Sequence, residues 1–262
     1  MTLIDIGANL AHDSFDADRD AVLDRARKAG VSTIVVTGSC VDSARKALAL
    51  ARAHPGFLYA TAGLHPHHAA RLDDVMLKAL RDLLLAPETV ASGEMGLDFF
   101  RDFSPRPAQE SAFQRQLEMA ANIGKPVFLH QRDAHARFLP ILKEQLDRLP
   151  AAMVHCFTGT RAELRDYLDL GLYIGITGWI CDERRGQHLK ECVLDIPPER
   201  LMLETDAPYL LPRNLRPKPA SRRNEPMHLT AVLAAVANAL GRNIEEVAAA
   251  TTATARGFFR LG

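Results

Sequence analysis

Eight short hydrophobic runs, separated by longer stretches with helical spacing, constrain this chain more than any other feature. The runs occupy residues 3–10, 31–38, 57–65, 90–99, 126–130, 152–157, 172–179 and 200–206. Several are nearly continuous rather than alternating, the pattern of parallel strands buried on both faces. Amphipathic stretches lie between them, among others at 18–29, 73–85, 109–123, 134–146 and 161–170. Gly30, Gly124 and Gly171 each stand between a helical stretch and the next run, where a glycine ends a helix. Eight strand–helix units in 262 residues predict an α/β fold of the (β/α)8 TIM-barrel type. A doubly wound sheet uses the same alternation but fits this count less well. Pro212, Pro217 and Pro219 mark a loop after the eighth run. Helical material follows at 225–240 and 244–259 and is expected to pack on the outside. No linker or shift in composition divides the chain, so one domain over residues 1–262 is expected.

Charge and cysteine usage narrow the class. Lys plus Arg and Asp plus Glu both number 32, so the formal net charge is zero. General electrostatic attraction of nucleic acid is therefore absent, and an anionic substrate must be drawn locally by a metal or clustered arginines. Cys40, Cys156, Cys181 and Cys192 form no C-x-x-C pair, and a chain of this size needs no disulfide staples. The first residues lack the basic and long apolar regions of a signal peptide. No apolar stretch approaches the roughly 18 residues of a membrane span. A cytoplasmic, monomeric protein with no membrane association is expected.

Barrel active sites are built at the C-terminal ends of the strands, so the residues there test for function. The first run ends at Asn9, and the third at His65-Pro66-His67. The fourth carries Glu94 and Asp98, and the fifth ends in His130, Gln131, Arg132 and Asp133. The sixth ends in His155, and the eighth carries Glu204 and Asp206. One such histidine would be read as a hydrogen-bonded core residue. Imidazole or carboxylate at five equivalent places points instead to a divalent cation, for which these are the suitable ligands. Such a cation acidifies water and polarises the bond under attack.

At these positions the chain resembles the TatD family of metal-dependent deoxyribonucleases, amidohydrolase-like TIM barrels. The resemblance covers essentially the whole chain. It rests on Ala-Gly-Leu-His-Pro-His (62–67), Gly-Glu-Met-Gly-Leu-Asp (93–98), Leu-His-Gln-Arg-Asp-Ala (129–134), Val-His-Cys-Phe-Thr-Gly (154–159) and Leu-Glu-Thr-Asp-Ala-Pro-Tyr-Leu (203–210). Segments 175–186 and 217–226 are similar to the branch for which 3′→5′ exonuclease action on single-stranded DNA and RNA is implied. By matching position, the resemblance makes Glu94, His130 and His155 metal ligands. Asp206 becomes a further ligand or the acceptor of a proton from the attacking water. The first strand departs from the family pattern. Many members begin D-x-H-x-H, whereas Asp5-Ile6-Gly7-Ala8-Asn9 lacks both histidines. One strong metal site with a weaker second is therefore expected. Fewer imidazoles tilt the preference toward Mg²⁺, with Mn²⁺ and Zn²⁺ as alternatives.

Around this centre, His65 is read as a phosphate contact or an acid toward the leaving group, or else as part of a His-Pro turn. The structural role is favoured for His67. Asp98 and Asp133 each suit either holding a ligand histidine in its tautomer or capping the following helix, and capping is favoured for Asp133. Glu204 is expected to point into the barrel and pair with a cation. Arg132, Arg222 and Arg223 are candidate phosphate contacts, because guanidinium groups bind phosphate in a bidentate manner. Trp179, with Phe99, Phe100, Phe103 and Tyr209, is a candidate surface for stacking unpaired bases. The ordinary alternative is a solvated basic rim over packed aromatics. Two other functions stay open on residues alone: hydrolysis of a C–N or ester bond, and an inert barrel that binds nucleic acid or protein.

Overall fold

Eight strands alternate with helices from one end of the chain to the other in the computed structural model, which describes residues 1–261. The strands are β1 (Leu3–Ala8), β2 (Val31–Val36), β3 (Leu58–Ala62), β4 (Thr89–Asp98), β5 (Val127–Arg132), β6 (Ala152–Val154), β7 (Tyr173–Ile176) and β8 (Leu201–Leu203). They form one sheet in chain order. The pairs β3–β4, β4–β5, β5–β6 and β7–β8 are parallel. This is the (β/α)8 barrel that the eight runs predict. The helices are α1 (Arg19–Lys28), α2 (Val41–Ala53), α3 (Asp74–Leu84), α4 (Arg106–Ile123), α5 (His135–Leu146), α6 (Arg161–Asp169), α7 (Gln187–Cys192), α8 (Leu229–Leu240) and α9 (Ile244–Phe259). Gly30, Gly124 and Gly171 take φ of +90°, +76° and +75° at the predicted helix ends. Among the described residues, no helix is long and apolar enough to cross a membrane.

Internal contacts divide the chain into two units, Met1–Val35 with Cys156–Gly262, and Val36–His155. In the first unit, the chain beyond β8 bonds back to β1. Asp206 donates its N–H to the Gly7 carbonyl at 2.8 Å, and Asn9 donates to Ala207 at 2.6 Å. Buried Asp5 reinforces this edge by accepting from the Thr205 N–H at 2.9 Å and its hydroxyl at 2.5 Å. Burial raises the Asp5 carboxyl to about 7, against the lowering effect of those hydrogen bonds.

In the second unit, β3 to β6 are interleaved with α2 to α5. Ala44, Ala62, Leu64, Leu80, Leu84 and Met119 pack as one apolar cluster behind β3. All ten residues of β4 are buried. The register of β4 against β5 shifts between Ser92 and Met95, so Glu94 lies within an irregularity of the strand. Gly96 makes the approach of β5 feasible: its φ is +147°, and a Cβ there would run into the His130 carbonyl.

Candidate metal centre

Within three residues of the ends of β5, β6 and β8, a non-glycine residue takes positive φ: Asp133 (+52°), Cys156 (+48°) and Asp206 (+52°). Left-handed backbone at such residues is uncommon and concentrates at functional sites. Here it turns the chain sharply at three strand ends. Asp133 therefore does not cap α5 as expected. The N-cap is Ala134, which makes no side-chain capping bond.

The side chains of the second unit converge on Glu94, which is 6% exposed. Its Oε1 lies 3.0 Å from His130 Nδ1, 3.0 Å from His155 Nε2 and 3.3 Å from His65 Nε2. Burial alone would raise the Glu94 carboxyl. The imidazoles packed around it, those of His65, His155 and His130, hold it well below the usual carboxylate range. A second layer stands behind the first. Asp98 Oδ2 is 2.9 Å from His67 Nε2 and 3.4 Å from His130 Nε2, and its Oδ1 accepts the N–H groups of Phe100 and Arg101. Burial opposes ionisation of Asp98, but these partners outweigh it and depress its pKa strongly. Burial likewise works against a charged His130, while Asp98 and Glu94 push its pKa up.

Two observations show that these groups fit a divalent cation. His130 Nε2 is buried and, for all its nearness to Asp98, makes no hydrogen bond. Ligand atoms bonded about 2.1 Å from one ion stand about 3 Å apart when at right angles, which matches the separations around Glu94 Oε1. His65, Glu94 and His130 form the group whose ligand atoms all lie within 4.8 Å of one another. Within that group His65 has a distinct role. Its Nδ1 accepts the His67 N–H at 3.2 Å, so in the neutral ring the proton sits on Nε2, facing Glu94. Burial lowers the His65 pKa to about 4, which keeps that ring neutral at pH 7. His65 thus presents an N–H to Glu94 Oε1, beside the ring nitrogens of His130 and His155.

The other predicted site residues are placed as follows. Asp206 Oδ1 accepts from Asn9 Nδ2 at 2.9 Å within the first unit. Glu204 is fully buried, and its Oε1 accepts the backbone N–H of Cys156 at 2.5 Å. Arg132 lays its guanidinium 3.9 Å above the Phe100 ring. Trp179 is half-buried and Arg222 is exposed. Arg223 is not arranged for phosphate. It donates to Asp18 at 2.8 and 2.7 Å, to Glu225 at 2.9 Å and to the Ser14 carbonyl at 2.6 Å, so its guanidinium is committed within the chain.

Sequence reasoning missed three residues of this centre. His67, read as structural, joins the cluster through Asp98, its ring 4.1 Å from that of His65. Gln109 and Gln116 of α4 are each 1% exposed. Gln116 accepts from the Leu64 N–H at 2.7 Å and donates to the Leu64 carbonyl at 3.1 Å, which fixes the backbone just before His65. Gln109 treats Asp98 in the same way, accepting its N–H at 2.8 Å and donating to its carbonyl at 3.2 Å. The signal was present: both glutamines lie on the apolar stripe of α4 with Ala112, Phe113, Leu117 and Ala120, where a polar residue needs a buried partner.

A parallel barrel whose strand ends gather imidazoles about a buried carboxylate has the architecture of a metal-dependent hydrolase. The chain belongs to the TatD-related DNase family, whose pattern matches residues 4–260. It is 50% identical to the 3′-5′ ssDNA/RNA exonuclease TatD of Musicola paradisiaca, over 99% of this chain and 98% of that protein. The protein of the same description from Erwinia tasmaniensis is 52% identical, over 99% of this chain and 100% of its own length. Among solved structures, a TatD homologue from Escherichia coli is similar with a TM-score of 0.90 at 30% identity, covering 99% of this chain and 98% of that one. A TatD family hydrolase from Entamoeba histolytica follows with a TM-score of 0.88 at 27% identity, covering 98% of each.

Proposed function

We propose that this protein is a divalent-metal-dependent phosphodiester hydrolase, a 3′→5′ exonuclease on single-stranded DNA and RNA. One observation carries the reading: three imidazoles meet one carboxylate oxygen of Glu94, in a chain about half identical, end to end, to relatives described as such exonucleases. Glu94, His130 and His155 would hold the cation, with Asp206 as a further ligand or as proton acceptor. When bound, the cation supplies Lewis acidity toward water and phosphate.

The chain's own groups do the rest. Asp206, its carboxylate oriented by Asn9, accepts the proton of the attacking water. His65, held neutral with its proton on Nε2, donates a hydrogen bond to a phosphate or leaving oxygen. Asp98 fixes the orientation of His67. Arg132, Arg222 and Trp179 are the proposed substrate contacts, with the two guanidinium groups balancing phosphate charge. Mg²⁺ is the proposed ion, because the first strand brings no histidine to the centre. None of the four cysteines is in a disulfide, which suits a reducing cytoplasm, and a monomer is proposed.

The test is digestion of end-labelled single-stranded DNA and RNA, with and without chelator, by wild type, Glu94→Ala and Asp206→Asn. A ladder shortening from the 3′ end, lost on chelation and in both variants, is expected. Wild-type rates in both variants would overturn the assignment.

A further inference from the structure

Of the eleven phenylalanines, two are left in water, and both lie in the loop between β4 and α4. Phe103 is 67% exposed and Phe100 is 54% exposed. The loop that carries them is tightly held. Asp98 fixes its start through the Phe100 and Arg101 N–H groups at 3.0 and 2.8 Å. At its end, Ser104 is buried, donates its hydroxyl to the His67 carbonyl at 3.0 Å and accepts the Ala70 N–H at 3.1 Å. Exposure here does not follow from slack backbone.

The two rings have different neighbours. Phe100 is covered by cations, with Arg132 at 3.9 Å and Arg101 at 5.7 Å from its centroid. Among the described residues, Phe103 meets only the edge of one ring, that of His67 at 4.7 Å and 62°. His67 in turn touches His65 at 4.1 Å. A row of rings therefore runs from Phe103 through His67 to the imidazole facing Glu94.

We infer that Phe103 is a stacking platform for one unpaired nucleobase, that of a nucleotide adjoining the phosphodiester held at the Glu94 centre, and that Arg132 and Arg101, seated on Phe100, contact the neighbouring phosphate. The inference rests on the nuclease reading and deepens it. The chemistry is selective for single strands. A base within a duplex has both faces covered by its neighbours, while an unpaired base offers one to an aromatic ring. Such stacking is tolerant of sequence, because every base has a π face. Guanidinium groups beside the ring supply the local positive charge that the chain as a whole lacks. An apolar protein partner would not call for two arginines laid over one of the two rings.

The test measures binding of a fluorescein-labelled single-stranded oligonucleotide by anisotropy, in chelator so that the strand stays intact. The proteins are wild type, Phe103→Ala, Phe103→Leu and Phe103→Trp. A parallel set of oligonucleotides lacks one base at each position from the 3′ end. Phe103→Ala and Phe103→Leu should each raise Kd about tenfold, and Phe103→Trp should restore binding. One abasic position should weaken wild type by the same factor and Phe103→Ala no further. In the active enzyme with Mg²⁺, the loss should fall on KM more than on kcat. Unchanged Kd and KM in Phe103→Ala, equal binding by the Leu and Trp variants, or an abasic penalty that persists in Phe103→Ala would each overturn the platform. A wild type that shortens no oligonucleotide with any divalent ion would instead overturn the nuclease reading.

Discussion

Replacing Gln116 with leucine isolates what one buried amide contributes to the centre. Leucine is close to glutamine in volume, so the change opens no large cavity. It leaves the Leu64 N–H and carbonyl, now bonded to Gln116 at 2.7 and 3.1 Å, facing an apolar side chain. The Ala112 carbonyl, which also accepts from Gln116 at 3.2 Å, keeps its place within α4. A buried backbone group deprived of its partner costs about 1–3 kcal/mol, and burial of the leucine offsets part of that. A net loss of roughly 2–4 kcal/mol should lower Tm by roughly 5–12 °C. Leu64 is bonded directly to His65, so kcat/KM should fall along with stability. Gln116→Glu is the companion. It keeps the acceptor but donates to Leu64 only when protonated, and burial will raise its pKa. Its stability should therefore be greatest at low pH and decline as pH rises through that raised value. Thermal melts from pH 4 to 8, with oligonucleotide turnover at each pH, read both effects. A leucine variant that melts within about 1 °C of wild type with unchanged kcat/KM would refute the clamp, as would a glutamate variant that gains stability with rising pH.

Asp5 has a folded-state pKa raised from 3.8 to about 7. Its contribution to stability is thus complete below about pH 4 and lost as pH approaches 7, a span of roughly 4 kcal/mol. Asp5→Asn should flatten that decline in a Tm-against-pH series, and parallel curves for the two proteins would contradict the burial argument. Arg223→Ala should cost about 1–2 kcal/mol by denaturant titration, since the Asp18 partner is partly solvated, with no change in KM for oligonucleotide. A rise in KM would return Arg223 to the substrate contacts. Gly96→Ala forces a Cβ into the His130 carbonyl and should cost roughly 3 kcal/mol or more. It should also abolish the Tm rise on adding divalent metal, which for wild type reflects about 2.7 kcal/mol at a hundredfold excess over Kd. A normal metal-induced shift in this variant would show that the β4–β5 approach does not shape the centre.

Much of this is legible in the sequence. The near-continuous runs marked buried parallel strands because both faces of each strand are covered, and that pattern needs no long-range information. The strand-end rule then brought His65, Glu94, His130 and His155 to one list, and the structure gathers all four within the second unit. What stayed hidden depended on partners far away in the chain. Arg223 looks like any loop arginine until Asp18 is placed against it. His67 follows a proline and reads as a turn until Asp98 accepts from it. Asp133 has the composition of a helix cap, but its backbone adopts the left-handed conformation instead.

Gln109 grips more than one residue: besides both backbone groups of Asp98, it donates to the Ser104 carbonyl at 2.8 Å. A single side chain on α4 therefore clips together the two ends of the segment 99–103, whatever that segment contains. The loop is in effect a cassette. Its residues can be exchanged or lengthened while the carboxylate at its root stays in register with the catalytic floor, so substrate preference can diverge without the hydrolytic chemistry being rebuilt. A library randomised at positions 100, 101 and 103 on a fixed Gln109 would sample new polynucleotide specificities on an unchanged engine.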